Sequence, residues 1–269
     1  MRPPAVEGLF YPSVKEKLFA AIKRLFLNVQ PHKSPCHAII CPHAGYIYSG
    51  HTAAFSYAAA SNLVDEDITA IIIGPNHTGR GELISISQED WLTPLGISKC
   101  DTELANDIFS FSYTASLDEI AHLTEHSIEV QLPFLQKLNP KAKIVCISMM
   151  AQNLEASLDI GKAIFEATKN RNVIVIASSD FTHYKSAEQA SVLDASALEK
   201  IQTLEVEGFQ REVESKNLSI CGYGPISAAM HYSKLKGAKM AELLRYSNSG
   251  EVTGDYSNVV AYASLAIRK

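Results

Sequence analysis

Three apolar runs in this chain end in residues that can do chemistry. HAIIC (37–41) leads into PHAGYIYSG and His43, ITAIII (68–73) into GPNHTGRG and His77, and NVIVIA (172–177) into SSDFTHYKS, with Asp180 and His183. A neutral imidazole is the commonest metal ligand and also shuttles protons near neutral pH. Each histidine has small or Gly neighbours, so another group can approach closely. One histidine after a strand is more often a hydrogen-bonded turn residue; three arranged alike point to a common site. If the runs are parallel neighbouring strands, the histidines meet at their carboxyl ends, where open α/β sheets bind ligands. Such a cluster serves metal binding, general-base catalysis or both.

Two other segments carry candidates. SICGYGPISAAMHY sets Cys221 before two glycines and a helix start. A helix N-terminus favours the thiolate, which is a nucleophile and a soft metal ligand. Cys36, Cys41, Cys100 and Cys146 lie in or beside apolar segments and read as structural. In HLTEHSIEVQLPFLQ, His122, Glu125 and His126 match the H-x-x-E-H pattern of one class of zinc peptidases. Leu123 and Thr124 open a helix poorly, however, and no downstream segment supplies a third carboxylate. The better expectation has Glu125 and His126 at a helix start beside the same rim, orienting substrate or supporting the ligands. GPNHTGRG lacks the lysine of a phosphate-binding loop, and CGYGPIS departs from G-x-G-x-x-G at Ser227. Nucleotide chemistry is not indicated.

The elements that must position these residues follow from periodicity. Strands are expected over 37–41, 68–73, 83–87, 143–148 and 172–177, the central ones apolar throughout and so covered on both faces. Helices are expected over 13–26, 50–60, 102–111, 125–138, 153–168, 187–203, 206–215 and 225–236. This alternation predicts an α/β fold with a central, mostly parallel mixed sheet flanked by helices, and with no long linker in sight it is read as a single domain over 1–269. Pro225 suits a first helical position. Asn139-Pro140 ends the helix that contains Pro133, itself a sign of an early turn or a kink. AELLRYSNSG and EVTGDYSNVVAYASLAI predict an antiparallel strand pair at one side of the sheet. Cys36 and Cys41 fall on opposite faces of one strand, which argues against a disulfide between them.

The bulk properties exclude some classes. A net charge of -5 argues against a general nucleic-acid binder. No apolar run approaches the roughly 18 residues of a membrane span. The start MRPPAVEGLFYPS lacks the apolar core of a secretory signal. Five cysteines without a framework spacing fit a reducing compartment, so the cytoplasm is the expected location.

The motifs RPPAVEGLFYP, CPHAGYIYSG, GPNHTGRG, TEHSIEVQLPFL, SSDFTHY, ICGYGP and GEVTGDYSNVVAYAS, in that order, resemble the Memo family over essentially the whole chain. The resemblance implies a fold similar to that of class III extradiol dioxygenases, which are non-haem iron enzymes. It puts His43, His77 and Cys221 on the family's metal-site positions, with Asp180 and His183 beside them. His183 is similar to the catalytic histidine of the dioxygenases. Those enzymes use two histidines and a carboxylate; a thiolate in the third place favours softer ions such as Cu(I) or Zn. Asp180 could complete the triad if Cys221 stands back. The expected function is a metal-dependent oxidoreductase using iron or copper, with zinc as a further candidate and the substrate open. His183 would act as acid/base, with Asp180 orienting it and His126 in support. The alternative is a non-enzymatic module that binds a small molecule or peptide carrying a phosphotyrosine-like or other anionic or aromatic group, using the histidines and Arg80 to hold it and Tyr46, Tyr48 and Tyr223 to line the pocket. A hydrolase pairing Cys221 with His183 is a third reading. The family's prokaryotic grouping also implies AMMECR-type and radical-SAM protein partners.

Overall fold

The computed structural model describes residues 1–32 and 34–268. Its strands are β1 (Cys36–Cys41), β2 (Thr69–Pro75), β3 (Ile84–Ile86), β4 (Trp91–Thr93), β5 (Gly96–Ser98), β6 (Ser116–Leu117), β7 (Lys143–Met149), β8 (Val173–Ser178), β9 (His183–Lys185), β10 (Ala241–Asn248) and β11 (Val259–Arg268). Its helices are α1 (Lys15–Leu25), α2 (Tyr46–Ala59), α3 (Thr102–Phe111), α4 (Leu132–Leu138), α5 (Leu154–Ala167), α6 (Ala187–Gln202), α7 (Val206–Lys216), α8 (Tyr223–Leu235) and α9 (Gly250–Thr253). One mixed sheet runs β10-β11-β1-β8-β2-β7-β3-β6, with β9 paired to β11, while β4 and β5 form a separate hairpin.

The centre of the sheet is parallel. Ala177 of β8 lies between Ile40 of β1 and Ile73 of β2, and Ile73 also pairs Ile147 of β7. β11 is antiparallel to β1, β10 to β11, and β3 to β7. The predicted α/β architecture and the antiparallel tail pair are both present. Alternate strand residues feed two cores. Ala38, Ile40, Ile71, Ile73, Val145 and Ile147 pack under α3, α5, α6, α7 and α8. Ile39, Cys41, Ala70, Ile72, Ile144 and Cys146 pack under α1, α2 and α4. Burial on both faces is why these strands read as unbroken apolar runs.

Three local expectations change. Cys36 and Cys41 share one core rather than facing opposite sides, because an irregularity between Cys36 and Ala38 resets the alternation. Both thiols are free, as expected. The helix expected over 125–138 breaks into a 3-10 turn (Glu129–Gln131) and α4. The buried carboxylates of Glu125 and Glu129 turn the chain inward there, and Pro133 takes the first turn of α4, where its missing N–H costs nothing. α8 begins at Tyr223, which moves Pro225 one turn inside the start but still among the N–H groups without intrahelical partners.

Other helix starts follow readable chemistry. Asp101 and Asn153 accept from the backbone N–H of Leu104 and Ala156, and Ser186 with Gln189 forms a capping box. α2 starts at Tyr46, earlier than the sequence pattern suggested. No side chain caps it; the Tyr46 N–H donates to the Phe10 carbonyl at 2.8 Å instead. The N-terminal segment therefore completes a helix that begins at the sheet's carboxyl rim. Among the described residues no helix is long and apolar enough to cross a membrane.

Candidate metal centre

β1, β8 and β2 are adjacent and parallel, and each releases a polar side chain just past its end. His43 follows β1, Asp180 follows β8 and His77 follows β2. Cys221 reaches them from the loop between α7 and α8. Gly222 lets that loop lie on β8, since a Cβ there would collide with the Ser178 carbonyl and the Ser179 side chain. The His43 and His77 rings stand 5.2 Å apart, edge to face. His43 Nε2 is 3.1 Å from Cys221 Sγ. One donor atom from each of His43, His77 and Cys221 lies within 4.8 Å of the others, so the three could hold a metal ion.

The surrounding hydrogen bonds decide which ring nitrogens are free. Ser178 Oγ lies 2.6 Å from the Ser127 carbonyl, which can only accept, so the hydroxyl proton goes there. Ser178 Oγ then accepts from Gln131 Nε2 and from His43 Nδ1, at 2.9 and 3.0 Å. His43 therefore carries its proton on Nδ1 and turns the Nε2 lone pair toward Cys221. His77 Nδ1 lies 2.9 Å from Glu125 Oε1. Burial raises the Glu125 pKa, but the His77 hydrogen bond, the His77 and His126 charges and the Ser127 N–H outweigh it and bring it down to about 2. An ionised carboxylate accepts, so His77 also protonates on Nδ1 and leaves Nε2 open. Histidines that bind metals are typically fixed in this way by a partner on the far nitrogen.

Cys221 accepts the Asp180 N–H at 3.1 Å. Burial, then the Asp180 charge, push its thiol well above the ordinary range. The helix start was expected to favour thiolate; desolvation outweighs it. A bound cation would reverse that balance. Asp180 is buried, which raises its pKa to about 6 against the His43 N–H that it accepts at 2.8 Å. Its Oδ2 is 4.0 Å from His43 Nε2. Cys221 does not stand back, so the sulfur rather than Asp180 completes the three-donor group. Burial, followed by the His126, His77 and His183 charges, holds His43 well below its usual pKa. A buried neutral histidine and a thiol that lacks a counter-cation fit a soft divalent or monovalent ion.

The remaining candidates separate. His126 stacks on His77 with ring centres 4.7 Å apart, and its Nδ1 is 3.2 Å from Glu125 Oε1. His183 lines the same cavity, but Asp180 does not orient it: His183 Nδ1 donates to the Ser219 carbonyl at 2.8 Å. His122 is elsewhere. It lies fully buried against Trp91 with Nε2 3.2 Å from the Ser85 carbonyl, so the H-x-x-E-H residues do not form a helical zinc face. Glu125 instead joins His77 and His126 in a second group of potential donors. Ser178 and Gln131, which fix His43, carried no sequence signal beyond a strand end and a polar residue in an apolar helix pattern.

His43 and His77 open into a cavity of about 490 Å³ lined by aromatic Phe10, Tyr48, Tyr184 and Tyr262 together with His126, Asp180 and His183. Of the side chains expected to grip an anionic or aromatic group, the histidines and Tyr48 line it, while Arg80, Tyr46 and Tyr223 do not. The Tyr46 hydroxyl points into the core and donates to the Val130 carbonyl. Arg80 stays in the exposed loop after His77, and Tyr223 opens α8 outside the lining.

Comparison with known proteins agrees with this geometry. The family model described as Memo-like protein matches residues 2–266. The chain is 44% identical to a MEMO1 family protein of Methanocaldococcus jannaschii and 42% identical to one of Methanosarcina mazei, in both cases over 99% of each chain. Among solved structures, an uncharacterized protein of Escherichia coli K12 superposes with a TM-score of 0.53 at 12% identity, over 85% of this chain and 98% of that one. That likeness concerns the fold alone.

Proposed function

The chain belongs to the Memo family, and on that premise we propose that it is a metal-dependent oxidoreductase whose ion is held by His43, His77 and Cys221. The observation that carries this reading is the paired tautomers: both Nδ1 protons are committed, so both Nε2 lone pairs are left free, and that of His43 lies beside the sulfur. Three protein donors are the usual complement of a catalytic rather than a structural ion, because a fourth place stays open for water or substrate. Iron or copper would supply electron transfer to or from oxygen, and a thiolate donor suits copper especially well. The chain's own residues do the rest. Phe10, Tyr48, Tyr184 and Tyr262 offer flat apolar walls to an aromatic substrate. His183, held through Nδ1 by Ser219, keeps Nε2 available to take or return a proton. Asp180 holds the His43 backbone, and His126 buttresses His77 by stacking.

The lining favours this over the phosphate-binding reading, since it contains no lysine or arginine. A simple Cys221–His183 hydrolase is also less favoured, because the sulfur's imidazole neighbour is His43. The test is metal content after anaerobic purification without an affinity tag, wild type beside a His43→Ala/His77→Ala variant. We expect iron or copper near one ion per chain, lost in the variant, and oxygen-dependent turnover that follows the metal. Metal-free protein that turns over the same substrate equally well would refute the proposal.

A further inference from the structure

A second cavity adjoins the first. It measures about 410 Å³ and lies between the N-terminal segment, α1 and the start of α2. The two cavities share Phe10, Gly45 and Tyr48 in their linings, so they lie side by side with these residues between them. Their chemistry differs. The inner part carries the histidines, Cys221's neighbour Asp180 and four aromatic rings. The outer part is apolar, with Leu9 and Ile47 left 84% and 71% exposed on it, and it has a single charged lining residue, Arg24. Among the described residues Arg24 enters no ion pair, although four other arginines do. Exposed leucine and isoleucine beside an unpaired guanidinium, in line with a reactive pocket, describe a site for an apolar chain with a negative end.

We propose that the outer cavity is a substrate subsite: the ligand places an aromatic head among His43, His77 and His183, runs an aliphatic chain over Phe10 and Tyr48, and sets a terminal carboxylate on Arg24. The class of ligand is an aryl-alkyl carboxylate. The head-group half rests on the metal-pocket reading above; the tail half rests only on the groove and Arg24. α1 supplies the guanidinium and its Ala21 lines the groove floor, so tail length and charge are read by one helix.

The test is calorimetric titration with 8-phenyloctanoate and with 8-phenyloctan-1-ol, which lacks the charge. Proteins are wild type, Arg24→Gln, Ala21→Trp to fill the groove, and Lys17→Gln, which removes a charge from α1 outside the lining. We expect the carboxylate to bind wild type and to weaken about threefold to fivefold in Arg24→Gln, the scale of an exposed ion pair. The alcohol should ignore Arg24→Gln, Ala21→Trp should reduce both ligands, and Lys17→Gln should leave both unchanged. Equal binding of acid and alcohol, equal loss in Lys17→Gln and Arg24→Gln, indifference to Ala21→Trp, or no binding of either probe would each overturn the subsite. The same titration on the His43→Ala/His77→Ala variant separates the two readings. Arg24-dependent binding that survives there keeps the tail subsite even if metal analysis removes the oxidoreductase.

Discussion

Two buried polar clusters flank Glu125, and they are built on opposite principles. On one side the Arg2 guanidinium is saturated. Nε donates to the His122 carbonyl at 2.7 Å, Nη1 to Glu129 at 2.6 Å and Nη2 to the Glu125 carbonyl at 2.7 Å, with the Trp91 ring 4.1 Å away. Glu129 in turn accepts from the Ala5 and Val6 N–H groups and from Tyr11. On the other side His43, His77 and Cys221 direct acceptor atoms at one another. Arg2 and His43 are buried alike, at 1% and 2% exposed, although His77 stands at the surface of its cluster. What differs is the kind of contact. A network of donors matched to acceptors specifies structure, while two imidazoles and a sulfur gathered at one point also offer lone pairs to an electrophile and so describe a site.

The comparison is broken most directly at Arg2. Arg2→Ala leaves Glu129 as a buried charge without its counter-ion and frees the carbonyls of Pro3, His122 and Glu125, so it should cost about 3–5 kcal/mol. His43→Ala in metal-free protein removes a neutral imidazole held by one bond to Ser178 and one to Cys221, with no charge left behind, and should cost about 1–2 kcal/mol. Urea unfolding of both variants without metal checks this. Equal losses would show that both clusters are structural.

The closed cluster also predicts a pH dependence. His122 is buried, and desolvation, against the Ser85 hydrogen bond, lowers its pKa from 6.5 to about 4. Between those values the unfolded chain binds a proton that the folded chain refuses. Stability is therefore intact above about pH 6.5 and falls as pH drops toward 4, by roughly 3 kcal/mol in all. Glu125 acts in the same direction in a lower window, from 4.5 down to about 2. His122→Gln should flatten the upper window and leave the lower one. Urea midpoints between pH 4 and 7 measure it, and an unchanged slope in the variant would remove His122 as the cause.

How much of this was readable follows the same division. The strands were legible because burial on both faces makes a run such as ITAIII continuous, and β2 covers Thr69–Pro75. The rim position of His43 and His77 then followed from strand order. The supporting shell was not legible. Glu125 holds His77 across 48 residues and Ser178 holds His43 across 135, contacts that no local pattern encodes. His122 matched a ligand spacing that needs a helix face, the poor helix opening at Leu123 and Thr124 argued against it, and the segment is indeed a 3-10 turn (Ile120–His122) and then irregular chain. The bulge that puts Cys36 and Cys41 in one core is equally silent in the sequence.

Glu125 joins the clusters, so it sharpens the comparison. Its carbonyl serves Arg2, while its carboxylate serves the open side. Oε2 accepts the His77 N–H at 2.6 Å, and Oε1 accepts from His77 Nδ1 and from the His126 and Ser127 N–H groups. In Glu125→Gln, either amide orientation faces an N–H with another N–H. The proposed metal site should then lose about 10–100-fold in affinity, the usual scale for a residue behind a ligand. Competition with a chromogenic chelator reads this, and affinity within twofold of wild type would separate Glu125 from the site.

Ser178→Ala is the finest cut. It removes the acceptor for His43 Nδ1–H but leaves Gln131 Nε2 its bond to the Pro42 carbonyl at 3.0 Å. The ring keeps its place beside Cys221, yet nothing now selects the Nδ1–H tautomer. A two-way choice between tautomers costs far less than a misplaced ring, so metal affinity should fall only about twofold to tenfold. The fold should lose about 1 kcal/mol, mostly from the Ser127 carbonyl left without its donor. Imidazole nitrogen shifts by NMR in metal-free protein distinguish the causes. Wild type should show His43 protonated at Nδ1 and Ser178→Ala a mixture. A pure Nδ1–H signal in the variant would mean that the lone pair is aimed by the cavity itself, and the difference between the two clusters would then lie in shape rather than in hydrogen bonding.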